Sequence, residues 1–227
     1  MPQAHGWSAC RSIIGSSGVL VALLAAAPAV ALDIKTIEGR EPSVTTISLT
    51  GRVEEGDSLK VRSFVGGLPQ EKPILAELTL GGGNIPEAIA IGRYFNKSKV
   101  RTYVPGRASC TSPCPLVLVA GRDPVTDKPS YFKHSSGSIS FTGRTLNYQE
   151  KEYALKDINN AIATTQRNVL AVADYLKEVG ANMTLLKYFE SVKAGAQSTS
   201  LTNEEALDLG IAVLDEKTGT IVPPTRR

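Results

Sequence analysis

Residues 107 to 124 read RASCTSPCPLVLVAGRDP, with Ser112 between Cys110 and Cys114 and immediately ahead of Pro113. A serine hydroxyl does little until a base within hydrogen-bond reach takes its proton; it then attacks a carbonyl carbon in acyl transfer. The base available downstream is His134, in the string KHSSG. The charge that develops on an attacked carbonyl needs donors. Backbone N–H groups of Gly81, Gly82 and Gly83 can supply them at close approach, because glycine has no side chain. Each residue also has a plainer reading. Ser112 suits a helix N-cap followed by proline, His134 suits a polar turn, and three glycines suit a tight bend between strand and helix. The glycine run lacks both the G-x-G-x-x-G spacing and a lysine-ended phosphate loop, so no nucleotide cofactor is expected.

Arg11 is the last charge before an apolar stretch that ends in Ala29-Val30-Ala31. This reads as a secretory signal over residues 1–31, cleaved after Ala31, with a periplasmic or extracellular destination. An uncleaved anchor is the rival reading and the only route to a membrane. Cleavage would remove His5, Trp7 and Cys10, leaving Cys110, Cys114 and His134 as the mature chain's cysteines and histidine. Two cysteines in an oxidising compartment suggest a Cys110–Cys114 disulfide. Zinc needs three or four ligands, and one histidine beside the pair is too few, so no metal is expected. Lys and Arg total 25 against 22 Asp and Glu, a balance that argues against nucleic acid as a partner.

The elements that must hold these residues follow from pattern. After a polar entry segment (32–43), residues 44–53 form a β-rich run, with Gly51 and Gly56 as breakers and a tight return. PILAELTL (73–80) is a strand running into the glycines, and Asn84 and Pro86 open a helix. VRTYVP (100–105) is a strand; Ser112 caps a short helix over Leu116 to Ala120 that Gly121 closes. Residues 128–143 read as strand, turn and short strand, with His134 at the turn. A long helix follows from about Glu152 to Val179, its stripe made by Leu155, Ile158, Ile162, Val169, Val172 and Leu176. Asn182 caps another helix reaching about Lys193, Thr202 with Glu205 makes a capping box, and IAVLD is a last strand. Residues 219–227 form a loose tail. Alternating strands and helices imply one α/β domain over 44–218 with mainly parallel pairing.

The order of ISLTGRVEEGD, LTLGGGNIPEAIAIG, SPCPLVLVAG, His134 and LTNEEALDLGIAVLDE resembles the proteolytic subunit of Clp protease, within the wider ClpP/crotonase superfamily. The likeness runs from about Ile47 to Leu214, and the Cys-x-Ser-x-Cys arrangement is similar to a branch of exported bacterial Clp-like proteins. It implies a ClpP/crotonase-like spiral of β-β-α units with a mainly parallel sheet. It further implies Ser112 as nucleophile, His134 as general base, and Gly82 and Gly83 as oxyanion donors. Two departures stand out. Pro113 has no N–H where the family has a second oxyanion donor, and Ser198 aligns with the aspartate that would orient the histidine. Loss of one oxyanion donor typically costs about a hundred- to a thousandfold in rate. Glu190 or Glu204 are substitute carboxylates, and Lys151 or Lys156 are candidates for a Ser-Lys dyad like that of the related signal-peptide peptidase family.

The resemblance therefore implies an exported serine hydrolase of peptidase type, weak or inactive, acting on peptide or unfolded polypeptide. The alternative is a non-catalytic envelope binding or assembly module on the same fold. A homo-oligomer is implied, as is the absence of an ATP-driven unfoldase outside the cytoplasm. Thioester chemistry of the crotonase branch is disfavoured, since coenzyme A is an intracellular carrier.

Overall fold

The computed structural model describes residues 31–38, 41–69, 71–142, 153–190 and 198–225. The expected signal segment, up to residue 30, lies outside them. Parallel strands carry the domain. β2 (Thr45–Val53), β3 (Ile74–Gly83), β4 (Arg101–Val104), β6 (Tyr131–His134) and β9 (Ala212–Leu214) run side by side, each parallel to its neighbour. Two hairpin additions finish the edges. β1 (Asp33–Ile37) is antiparallel to β2, and β10 (Ile221–Val222) is antiparallel to β9.

β3 is long enough to serve two partners, and this gives the sheet its curl. Its first half pairs with β4, while Gly81 near its end pairs with Thr111 of β5 (Ser109–Thr111). β5 pairs in parallel with β7 (Ser138–Phe141), and β7 is antiparallel to β8 (Thr199–Ser200). The chain thus leaves β4 through a bend at residues 105–108 to make β5, and leaves β6 through a bend at 135–137 to make β7. This mixed α/β architecture, with a curled and mostly parallel sheet, is the one the sequence predicts.

Helices α1 (Asp57–Gly66), α2 (Ile85–Lys97), α3 (Cys114–Leu118) and the C-terminal half of α4 (Leu155–Val179) pack together, with α5 (Leu185–Glu190) beside α4 and α6 (Asn203–Asp208) beside β9. The core between helices and sheet holds Ile47, Leu49, Leu78, Leu80, Ile91, Phe95, Leu116 and Leu118, all fully buried. α3 and α4 are joined inside it by a hydrogen bond from Tyr175 Oη to the Leu116 carbonyl at 2.7 Å. Gly92 makes room for that contact, because a Cβ there would come within 1.9 Å of Tyr175 Oη. Burial pushes the Tyr175 phenol well above its usual range, so it remains a donor.

Several expectations are met. Asn84 Oδ1 caps α2 by accepting from Glu87 N–H, Gly180 ends α4, and the Thr202–Glu205 capping box is present with both of its bonds. Others are corrected. The polar entry segment contains β1, which pairs along its whole length with β2. Gly56 does not end a tight return but stands before α1, whose first residue, Asp57, is fully buried and accepts from Glu54 N–H at 2.6 Å and from Lys60 Nζ at 2.7 Å. The three glycines continue β3 instead of bending away from it. The tail contributes β10, closed by an Asp215 N–H bond to the Thr220 carbonyl. Among the described residues no helix is long and apolar enough to cross a membrane.

Tyr175→Phe should leave the Leu116 carbonyl buried without this donor, at a cost of about 1–3 kcal/mol. A urea midpoint lowered accordingly is expected, and an unchanged midpoint would show that the bond does not brace α3.

Candidate active site

Ser112 leaves the end of β5 and is fixed from both sides. Cys110 and Cys114 are bonded to each other, with Cα atoms 5.2 Å apart, and both are fully buried. The disulfide expected from the sequence is therefore present, and it closes a loop containing only Thr111, Ser112 and Pro113. The Ser112 N–H donates to the Ser140 carbonyl at 2.9 Å, and Thr111 Oγ1 lies 2.8 Å from Ser140 Oγ. Ser112 is not the helix cap the sequence suggests. Pro113 takes that position, and its carbonyl accepts the first helical bond, from Leu116 N–H at 2.9 Å. The Ser112 hydroxyl is buried and has no hydrogen-bond partner among the described residues.

The glycine run meets this loop edge on. Gly82 and Gly83 have φ of 121° and 129°, which other residues adopt only with strain. A Cβ on Gly83 would lie 2.0 Å from the Val53 carbonyl oxygen, so only glycine lets β3 approach the end of β2. A Cβ on Gly82 would lie 3.1 Å from Arg52 Nη1 and 3.8 Å from the Ser112 carbonyl oxygen. Gly82, Ser112 and Arg52 therefore converge. They open on a cleft of about 980 Å³ whose other walls are the N-terminus of α2, at Asn84 to Pro86, a stretch of α4 from Thr164 to Val172, and Leu186 and Phe189.

His134 does not join them. It ends β6 opposite Leu214, and its Nδ1 lies 2.9 Å from Ser136 Oγ and accepts the Ser136 N–H at 3.2 Å. Its ring covers Gly106, where a Cβ would come within 3.0 Å of Nδ1, and it is absent from the cleft lining. Strand register gives the reason. Thr111 is level with Ser140, so Ser112 sits past Ser140, toward the far end of β7. His134 and the bend after it precede the near end, and β7 between them and Ser112 is about 10 Å long at ~3.3 Å per residue.

The register sets Ser112 level with Phe141, and the next residue, Thr142, lines the cleft with Ser112. Phe141 pairs with Thr199 on β8, and one further step of that register sets Ser198 level with Thr142. The position expected to complete a triad is thus near the cleft's edge, but its neighbour is a hydroxyl and not an imidazole. Glu204 and Lys156 are exposed and do not line the cleft. Lys151 and the side chain of Glu190 lie outside the described residues. Lys133, one residue before His134, is buried; its Nζ bonds to Ser135 O and Asn203 Oδ1, and burial lowers its pKa. It does not line the cleft either.

Two cleft residues escape the sequence reading. Thr142 carries no chemical signal of its own; only matching the strands SCT and SIS in parallel, which sets Ser112 level with Phe141, would have put Thr142 one residue beyond it. Arg52 sits in the GRV string at the end of β2, and is the one ionisable side chain among the described lining residues. Among the described residues no group of three His, Cys, Asp or Glu side chains stands together as a metal site would require.

No protein-family model matches the chain, and no curated protein matches its sequence. Solved structures do match. A membrane-bound stomatin-specific protease, 1510-N, solved as a serine-to-alanine mutant, superposes with a TM-score of 0.50 at 19% identity, over 75% of this chain and 77% of that one. A peptidase from Plasmodium falciparum aligns with a TM-score of 0.48 at 15% identity, over 72% of this chain and 91% of that one. At these identities the likeness is one of fold, and the chain has the ClpP-like fold of the stomatin-specific protease.

Ser112→Ala removes a buried hydroxyl without a partner, so it should leave stability unchanged or raise it by about 1 kcal/mol. A urea midpoint that falls instead would reveal a bond made by the Ser112 hydroxyl.

Proposed function

We propose that the chain is exported and binds extended polypeptide in the cleft at Ser112 without cleaving it. The observation that carries this reading is the pairing of β5 with β7, which sets Ser112 level with Phe141 at the far end of β7, where Thr142 joins it in lining the cleft, while His134 precedes the near end and does not line the cleft. A threonine hydroxyl is no general base at neutral pH, and a serine without a base stays protonated and unreactive. Pro113 adds to the deficit, having no N–H to offer an oxyanion. The parts needed for binding remain: a cleft of suitable size, an apolar wall from Ile85, Val169, Val172 and Phe189, and the exposed glycines Gly81 and Gly83.

Export is supported by the signal-like N-terminus and by the disulfide, which persists in oxidising compartments. A homo-oligomer is supported by α4. Leu155, Ile158 and Ile162 lie on one stripe of its N-terminal half and are exposed in the single chain.

The peptidase reading keeps one observation in its favour. A buried serine hydroxyl with no hydrogen-bond partner among the described residues is uncommon in a folded protein, and Ser112 lines the cleft together with the glycines that an acyl-transfer site would need.

A fluorophosphonate probe separates the two. No labelling of the mature chain is expected between about pH 6 and 9, where an imidazole base would be neutral enough to act. Carboxymethylated, unfolded α-lactalbumin should still bind, and equally well in His134→Ala. Labelling at Ser112 that Ser112→Ala abolishes would overturn the non-catalytic reading.

A further inference from the structure

Arg52 lines the cleft, and no described residue lining it carries a counter-charge. It is exposed, and its guanidinium has no hydrogen-bond or ion-pair partner among the described residues. Around it the described lining consists of glycines, threonines, Ser112, Asn84, Asn168 and apolar side chains, so among the described residues Arg52 is the one charge that lines the cleft. The nearest acid of α2, Glu87, is turned away from the cleft, its carboxylate accepting the Ser58 N–H at 2.9 Å. The N-terminus of this 13-residue helix also faces the cleft through Asn84 and Ile85, and its dipole adds positive potential.

The guanidinium of Arg52 lies over Gly82. Its Nη1 occupies the place beside Gly82 where a side chain would otherwise lie, 3.1 Å from an ideal Cβ. The planar fork therefore lies over Gly82, on which the Ser112 carbonyl also converges, 3.8 Å from the same ideal Cβ. A guanidinium offers five N–H donors in a geometry that matches a carboxylate with two parallel bonds. No described residue bonds to this group.

We propose that Arg52 is an anchor for a carboxylate of the bound polypeptide, and that the carboxylate is the free C-terminus of an extended peptide. The inference rests on the polypeptide-binding reading above. A C-terminal carboxylate lies at the end of a chain, so it can meet the Arg52 fork at the glycines while the preceding residue lies against the apolar wall. An acidic side chain would offer the same chemistry without requiring the peptide to end there.

The test uses the mature, disulfide-bonded chain and random-sequence hexapeptide libraries in two forms, free acids and C-terminal amides, read by affinity-selection mass spectrometry. Free acids are expected to bind about tenfold or more tightly than their amides, as a charge-assisted bond implies. Arg52→Gln should erase that difference by weakening the acids to the level of the amides, and Arg52→Lys should keep part of it. Equal binding of acids and amides by the unaltered chain would overturn the anchor while leaving peptide binding intact. So would an acid preference that survives Arg52→Gln. Amides that bind only when they contain Asp or Glu would assign Arg52 to side-chain carboxylates instead. If neither library binds, the polypeptide reading fails and the anchor with it.

Discussion

The hydrogen bond from the Ser112 N–H to the Ser140 carbonyl decides what this cleft is. It extends the parallel pairing of β5 and β7 by one residue, and in doing so chooses which side chains surround the serine. In a parallel pair the register is rigid, because a slip by one residue turns every side chain to the other face of the sheet. With Cys110 and Ile139 both fully buried at paired positions, such a slip would expose two core side chains. The serine therefore cannot be moved toward His134 without dismantling the strand that holds it.

Two further contacts keep the segment in place. The Cys110–Cys114 bond ties the end of β5 to the start of α3, and the Tyr175 hydroxyl holds the Leu116 carbonyl one turn later. Between them Ser112 and Pro113 have little freedom. A loop braced this firmly suits a preformed binding edge, where a peptide loses less free energy to ordering of its partner. It also explains how a hydroxyl can stay buried without a hydrogen bond: the penalty of about 1–3 kcal/mol is outweighed by the surrounding disulfide, strand and core contacts.

Much of the fold is legible in the sequence because its signals are local. The alternating strands, the Asn84 and Thr202 caps, the Gly180 stop and the cysteine pair each depend on a few adjacent residues. α1 escapes because of its buried residues only Val61 and Val65 are apolar, and its start is marked by a buried aspartate instead of an apolar stripe. β5 escapes because three residues between a turn and two prolines carry no periodicity. The site is only half legible for a different reason. Ser112 and Gly82 are recognisable by type, and they do meet at the cleft. The partner of Ser112 depends on a pairing between strands 29 residues apart, and a lone histidine draws attention whether or not the fold delivers it. Thr142 is invisible by composition, and Arg52 becomes meaningful only once Gly82 is seen to lie beneath it.

The central claim is one of placement, and through-space proton contacts test it most directly. In a uniformly labelled sample of the mature chain, the Ser112 amide proton should show nuclear Overhauser cross-peaks to the Hα of Phe141, the neighbour demanded by parallel pairing, and none to the His134 ring. Cross-peaks joining Ser112 to the ring protons of His134 would contradict the account.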